Sequence, residues 1–289
     1  MIDWLTIRRG DAPLIVSVPH AGTDIPADVE AALVSPWIGR QDADWYVDRL
    51  YDFAGDLGAT MVATPISRSV VDVNRDPSGA SLYPGQATTE LCPTTNFDGE
   101  PLWRQAPDDA EIARRVNAYF RPYHAALENE IARLQALHPA IVLYEAHSIR
   151  SVVPRLFEGE LPQFNIGTNS GRSCAPSLTA AVVAACSTHP GESRGPESGA
   201  PTPGPRLSRG HVVLNGRFKG GWTTRHYGRP EDGVHAIQME LAMRGYLDEP
   251  DTFTPETWPV RYDESRAAPM RETLARVLRA CIAFAKEQA

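Results

Sequence analysis

Ile141-Val142-Leu143-Tyr144-Glu145-Ala146-His147-Ser148-Ile149-Arg150 decides the fold class of this chain. Residues 140–144 form a short unbroken apolar run, rich in β-branched and aromatic side chains, which predicts a strand buried on both faces of a parallel or mixed sheet. The run stops abruptly, so charged and titratable groups are expected directly after the strand. That position is the carboxyl edge of the sheet, where open α/β folds keep their ligand crevice. Leu14–Val18 repeats the arrangement, an apolar run that stops at Pro19-His20-Ala21-Gly22. Two predicted strands thus each end near a histidine.

Working outward, a helical period runs from Asp42 through Trp45, Val47, Leu50, Phe53 and Leu57, with acidic residues in its first turn and Gly58 as a stop. Residues 60–64 and 69–73 read as strands around a corner at 65–68, and the second runs into the turn signature Asn74-Arg75-Asp76-Pro77-Ser78-Gly79. Residues 77–107 carry several Pro and Gly with little periodicity. A loop of that length inside a domain is usually functional and is expected to wall the site. Ile112, Val116, Tyr119, Phe120, Tyr123, Leu127, Ile131 and Leu134 fall at helical spacing over 110–137, with Pro122 kinking or splitting the helix. Further strands are expected at 163–167 and 211–215; Val234 to Leu241 fits strand or helix by pattern alone, with a strand up to Glu240 preferred, and helices are expected at 176–187 and 269–286. Residues 188–209 are loaded with Pro, Gly and Ser and predict an exposed insertion. The pattern amounts to one α/β domain over 1–289, with a mixed, mostly parallel sheet flanked by helices.

The formal net charge of −8 and the absence of a Lys/Arg cluster argue against a nucleic-acid partner. No run of eighteen apolar residues occurs, and the Met1-Ile2-Asp3-Trp4 start has neither a charged n-region nor an apolar h-region, so a soluble cytoplasmic protein is expected. Cys92, Cys174, Cys186 and Cys281 form no C-x-x-C pair, which suggests neither a zinc ribbon nor a disulfide scaffold. With 8 His and 36 Asp plus Glu, the chain is better supplied with imidazole and carboxylate ligands than with thiolates. Nothing in the sequence fixes an oligomeric state.

His20 and His147, delivered to one sheet edge, are what a mononuclear zinc site requires of an α/β scaffold. A lone histidine at a strand end is more often a hydrogen-bonded structural residue; a pair points toward a metal. A catalytic zinc takes three N/O ligands and keeps a fourth position for water. Asp24, Asp42, Asp44 and Glu145 are candidates for a carboxylate third ligand, and Asp44 is favoured because it would start the helix after the His20 loop. Asn74 and Arg75 could grip a substrate carboxylate, the guanidinium by two parallel hydrogen bonds; their plainer reading is a turn Asn beside an Arg paired with Asp72 or Asp76. Arg68 and Arg225 are weaker versions of the same idea. Glu240 is a lone acid in an apolar segment, costly to bury unless paired or functional, and suited to take a proton from metal-activated water. On an amphipathic helix it would simply face solvent. The one G-x-S-x-G match, Gly191-Glu192-Ser193-Arg194-Gly195, falls in the Pro/Gly/Ser-rich stretch and not between an expected strand and helix, so it is no nucleophile elbow and a serine hydrolase is disfavoured. Cys92, with His124 or His147, is the remaining nucleophile.

Together these segments resemble a known family. Ser17-Val18-Pro19-His20-Ala21-Gly22, Asp44-Trp45, Ser67-Arg68-Ser69-Val70-Val71-Asp72-Val73-Asn74-Arg75, Pro122-Tyr123-His124, Glu145-Ala146-His147-Ser148 and Asn215-Gly216-Arg217-Phe218-Lys219-Gly220-Gly221 are similar, in order, to motifs of the N-formylglutamate amidohydrolase (deformylase) family. The resemblance spans nearly the whole chain. It implies a zinc-carboxypeptidase-like (phosphorylase/hydrolase-like) fold and one zinc ion, or another divalent metal, held by His20, His147 and a carboxylate taken as Asp44. It also implies Glu240 as general base and Asn74-Arg75 as a substrate grip, aided by Arg68 or Arg225. Two departures stand out: Glu145 replaces the usual Asp before the second histidine, and Thr23 stands where carboxypeptidases place a Glu three residues after the first. The expected reaction is hydrolysis of N-formyl-L-glutamate to formate and L-glutamate, the last step of histidine degradation. The rivals are a zinc deacylase of another N-acyl acidic amino acid and a non-catalytic binder of such compounds. The expected partner is a small anionic substrate, with no nucleic acid and no membrane.

Overall fold

The computed structural model describes residues 4–81, 85–187 and 212–288; the expected insertion at 188–209 lies outside the described residues. Among the described residues seven strands form one sheet: β1 (Thr6–Arg8), β2 (Leu14–Val18), β3 (Thr60–Ala63), β4 (Ile141–Ile149), β5 (Phe164–Gly167), β6 (Val212–Leu214) and β7 (Val234–Ala242). Their order is β1-β3-β2-β4-β7-β5-β6. β3, β2, β4 and β7 are mutually parallel, β1 and β5 join antiparallel to β3 and β7, and β6 pairs parallel with β5. The expected mixed, mostly parallel sheet is what forms.

β4 runs five residues further than its apolar opening suggests and carries Glu145 and His147 within the strand rather than after it. It continues because β7 offers ladder partners along its whole length, from Ile141↔Val234 to Ile149↔Ala242. Strand alternation then sorts the side chains. Val142, Tyr144 and Ala146, with Ile237, Met239 and Leu241 of β7, join one core cluster; Ile141, Leu143, Val234 and Ala236 join the cluster on the opposite face. Glu145, His147, Gln238 and Glu240 share the parity of that second face. Every one of the nine residues in each central strand is buried, and each large apolar side chain so buried contributes roughly 1.5–3 kcal/mol.

The helices are α1 (Ala27–Glu30), α2 (Val47–Leu50), α3 (Asp109–Arg115), α4 (Arg121–Gln135), α5 (Pro176–Cys186), α6 (Trp222–Tyr227) and α7 (Glu264–Glu287). α5 and α7 cover the face of Tyr144 and Met239; α4 covers the other through Tyr123, Leu127, Ile131 and Leu134. Pro122 has no N–H to donate, and the helix passes it through a π turn at Val116–Phe120 that joins α3 to α4. The helical pattern from Asp42 is only partly realised. Tyr46 adopts φ 63°, so the helix begins at Val47, runs to Leu50 and gives way to a 3-10 turn over Asp52–Leu57 that Gly58 ends at φ 73°.

One expected strand does not form. Residues 69–73 are buried but follow a turn path, with Val70 N bonded to Ser67 O and Asp72 N to Leu91 O. Val70, Val71 and Val73 fill core pockets from that path, and Asp72 is turned into the interior.

Candidate metal centre and active site

Parallel pairing of β4 with β7 sets His147 directly beside Glu240, and Glu145 beside Gln238. His20 arrives two residues past β2. Asp44 is brought to it by the main chain, its N–H donating to His20 O at 2.9 Å. The ligand atoms of His20, Asp44 and His147 lie within 4.8 Å of one another, and the three residues are 2%, 1% and 2% exposed. Asp44 Oδ2 stands 2.9 Å from His147 Nδ1 and 3.8 Å from His20 Nδ1. Ser148 N–H, at 3.2 Å, donates to the same oxygen.

The far nitrogens of both rings are engaged elsewhere. His20 Nε2 donates to Asp72 Oδ1 at 2.7 Å, while His147 Nε2 lies 3.1 Å from the Asn74 amide and 3.4 Å from Glu145 Oε1. His20 Nδ1 is left buried without a hydrogen-bond partner among the described residues, an arrangement that costs about 1–3 kcal/mol unless something binds there. It faces a carboxylate oxygen and a second imidazole. Two imidazole nitrogens and one carboxylate oxygen make the donor set of a catalytic zinc with a fourth position open, and a carboxylate behind a ligating histidine is the usual way its tautomer is fixed. The residues fit a divalent ion.

The electrostatics follow from burial. Burial, together with the Arg68 charge, lowers the His20 pKa although Asp72 and Asp44 pull upward. On His147 burial also opposes charge, but Asp44 and Glu145 outweigh it and the pKa rises. Burial pushes Asp72 up and is overcome by Arg75, His20 and Arg68, which hold its carboxyl well below the usual range. Glu240 goes the other way. Burial raises its pKa and the Asp44 charge adds to that, against His147 and Arg68. Gln238 Nε2 donates to Glu240 Oε2 at 3.2 Å, and Glu240 lines the same cavity as His20 and His147.

The other expected residues divide. Arg68 lines the cavity but is tied to Asp72 Oδ2 at 2.8 Å and lies 3.5 Å from Asp44 Oδ1, with its guanidinium over the Phe97 ring. Asn74 lies against His147, and its Oδ1 accepts from Thr223 N at 3.0 Å. Arg75 lines the cavity, donates twice to Thr89 and stands 3.5 Å from Asp72 Oδ2. Arg225 is not among the cavity-lining residues, and its Nε donates to Gly220 O at 2.9 Å. Of the other carboxylates, Asp24 and Asp42 stand apart from the cluster. Asp42 accepts from Phe97 N at 2.6 Å, and Asp24 extends a bridge to Ile66. Glu145 sits behind His147, its Oε2 accepting from Thr224 Oγ1 at 2.8 Å. Cys92 packs beside Phe120, and burial pushes its thiol up to about 11, an unreactive value.

Sequence reasoning gave Asp72 only the part of an arginine's neighbour. The signal was available: a lone acid between Val71 and Val73 meets the test that singled out Glu240. Gln238 and Arg217 also line the cavity, and no pattern in the sequence marks Gln238. Loop 77–107 does wall the site, through Thr88, Thr89 and Phe97.

The N-formylglutamate amidohydrolase family model matches residues 12–247. The N-formylglutamate deformylase of Pseudomonas aeruginosa is 42% identical over 290 residues, covering 100% of this chain and 99% of that protein. That of Pseudomonas putida is 41% identical over 286 residues, covering 98% and 97%. Among solved structures, the N-formylglutamate amidohydrolase from Ralstonia eutropha JMP134 superposes with a TM-score of 0.75 at 26% identity, covering 99% of each chain. A protein from Agrobacterium tumefaciens shares the fold, with a TM-score of 0.61 at 19% identity over 97% of this chain and 95% of that one. With the family's model spanning most of its length and full-length relatives at this identity, the chain belongs to the N-formylglutamate amidohydrolase family.

Proposed function

We propose that this chain is a zinc-dependent amidohydrolase that cleaves N-formyl-L-glutamate to formate and L-glutamate, the closing step of histidine degradation. The observation that carries the reading is the buried convergence of His20, Asp44 and His147 with Glu240 in the same cavity, in a family whose members include N-formylglutamate deformylases. His20 and His147 would hold the ion through nitrogen and Asp44 through oxygen. An ion held there would supply Lewis acidity toward the formyl carbonyl and would lower the pKa of water. Glu240 takes a proton from the attacking water and hands it to the amide nitrogen as the C–N bond breaks, so that formate and the free amine leave. A carboxyl whose pKa burial has raised is suited to both halves of that transfer.

Asp72 and Glu145 position the two imidazoles from behind, and Asn74 buttresses His147 while Thr223 N fixes its amide. Arg68 stabilises the paired carboxylates of Asp44 and Asp72. Arg75 is left to meet the substrate, and binding energy from the unreactive carboxylate end orients the amide. The test is formate release from N-formyl-L-glutamate before and after chelation, run beside N-acetyl- and N-succinyl-L-glutamate. Loss on chelation, return with zinc and preference for the formyl compound are expected. Equal or better turnover of another acyl group would move the enzyme to the related deacylases; ligand binding without formate release at any metal loading would make it a binder.

A further inference from the structure

The motif Asn215-Gly216-Arg217-Phe218 has no part in the chemistry above, yet it is built into the cavity. β6 ends at Leu214, and Asn215 turns the chain with φ 51° while its side-chain oxygen accepts from Thr168 N at 2.9 Å and its amide donates to Thr168 Oγ1 at 2.8 Å. The turn so fixed delivers Arg217 and Phe218 to the cavity wall. Arg217 Nε donates to Leu156 O at 2.8 Å and Nη2 to Ala87 O at 2.6 Å. Two residues on, Thr89 accepts from Arg75 through its carbonyl at 2.9 Å and its hydroxyl at 3.0 Å. The 87–89 segment is therefore strung between two guanidiniums, and both line the cavity beside Thr88 and Thr89.

We propose that Arg217 determines specificity by taking the side-chain carboxylate of the substrate, while Arg75 takes the α-carboxylate. The inference rests on the deformylase reading. A dianion entering a chain of net charge −8 needs cationic groups at two points, and Arg68 is committed to Asp44 and Asp72. Arg75 stands one carboxylate from the metal cradle, through Asp72 to His20, so it meets the carboxylate on the carbon that bears the scissile amide. Arg217 lines the same cavity from the other end of the 87–89 segment, held by Ala87 O and Leu156 O, and is assigned the carboxylate at the far end of the diacid. A planar guanidinium already oriented by main-chain carbonyls loses little freedom on gripping a carboxylate. Phe218 and Leu156, also in the wall, would pack on the methylenes between.

The test compares N-formyl-L-glutamate with N-formyl-L-glutamine, its neutral isostere, in the zinc-loaded wild type, Arg217→Met and Arg217→Lys. The wild type should prefer formylglutamate by about 100-fold in kcat/KM, the effect of removing one member of a desolvated charge pair. Arg217→Met should collapse that preference, chiefly through a rise in KM for formylglutamate, and Arg217→Lys should keep part of it. If Arg217→Met lowers both substrates in equal proportion, Arg217 merely ties the loops and the proposal fails. It fails equally if the wild type accepts both compounds alike, a result that needs no variant to fold. Formate release from neither substrate would instead remove the deformylase reading beneath it.

Discussion

Replacing Asp72 by Asn removes a carboxylate that serves two masters. Its Oδ1 accepts from His20 Nε2 at 2.7 Å and from Asn74 N at 2.9 Å; its Oδ2 accepts from Arg68 Nη2 at 2.8 Å, with Arg75 Nη1 at 3.5 Å. An amide keeps one acceptor. If that oxygen stays with His20, the NH2 is driven against the Arg68 guanidinium; if it turns to Arg68, the NH2 meets a ring N–H and a main-chain N–H. Breaking a buried ion pair costs about 3–5 kcal/mol. Because Asp44 Oδ1 still stands 3.5 Å from Arg68, the lower end, about 3 kcal/mol, is expected in urea denaturation of the metal-free protein. Losing the carboxylate behind a ligating histidine should separately weaken zinc by about 10–100-fold, read by competition with a chromophoric chelator. A variant that is destabilised by this amount and yet binds zinc as the wild type does would refute the second role, for Asp72 would then serve Arg68 alone and would not orient His20 toward an ion.

Glu240→Gln keeps the shape but cannot carry a proton, so kcat should fall by about 10²–10⁴-fold with zinc content intact; a smaller loss would place the base elsewhere. Gly221→Ala has a permitted backbone, yet its Cβ would overlap the Asn74 amide. Activity should drop at least about tenfold as Asn74 is pushed off His147, and a fully active variant would free Asn74 from any positioning role. His124, buried between Val73 O at 2.8 Å and Tyr227 Oη at 3.0 Å, has its pKa lowered by burial to about 4. Its contribution is therefore present above the unfolded pKa near 6.5 and is lost as pH falls from there toward 4, about 3 kcal/mol in all. Denaturation midpoints at pH 7 and 4.5 should fall less steeply for His124→Gln; an unchanged pH dependence would mean that His124 is protonated in the fold.

The sequence carried the sheet's centre clearly, because strands buried on both faces are uninterrupted apolar runs and few other structures look like that. β2 is legible for this reason; β7 carries His235, Gln238 and Glu240 among its apolar residues, and its pattern alone fits strand or helix. β4 was legible only as far as Tyr144, since Glu145 and His147 read as the end of burial when they are polar side chains turned inward on a strand that keeps pairing. Residues 69–73 deceived in the opposite sense: β-branched composition is a statement about burial, and these valines are buried on a turn whose path aims Asp72 at His20. Of the site, His20, Asp44 and His147 bring ligand atoms within 4.8 Å of one another, and Glu240 lines the cavity with both histidines. Arg225 does not join the cavity lining and Arg217 does; Arg217 is held there by carbonyls of Leu156 and Ala87, far along the chain, which no local pattern encodes.

The central claim is that His20, Asp44 and His147 hold one divalent ion on which hydrolysis depends. Chelated protein should be titrated with zinc while bound metal and formate release from N-formyl-L-glutamate are followed together, in the wild type and in His147→Ala. The account predicts no release without metal, a linear return that saturates at one equivalent, and neither tight binding nor activity in the variant. A chelated wild type that still releases formate at its original rate, or a His147→Ala protein that binds zinc as tightly, would contradict it.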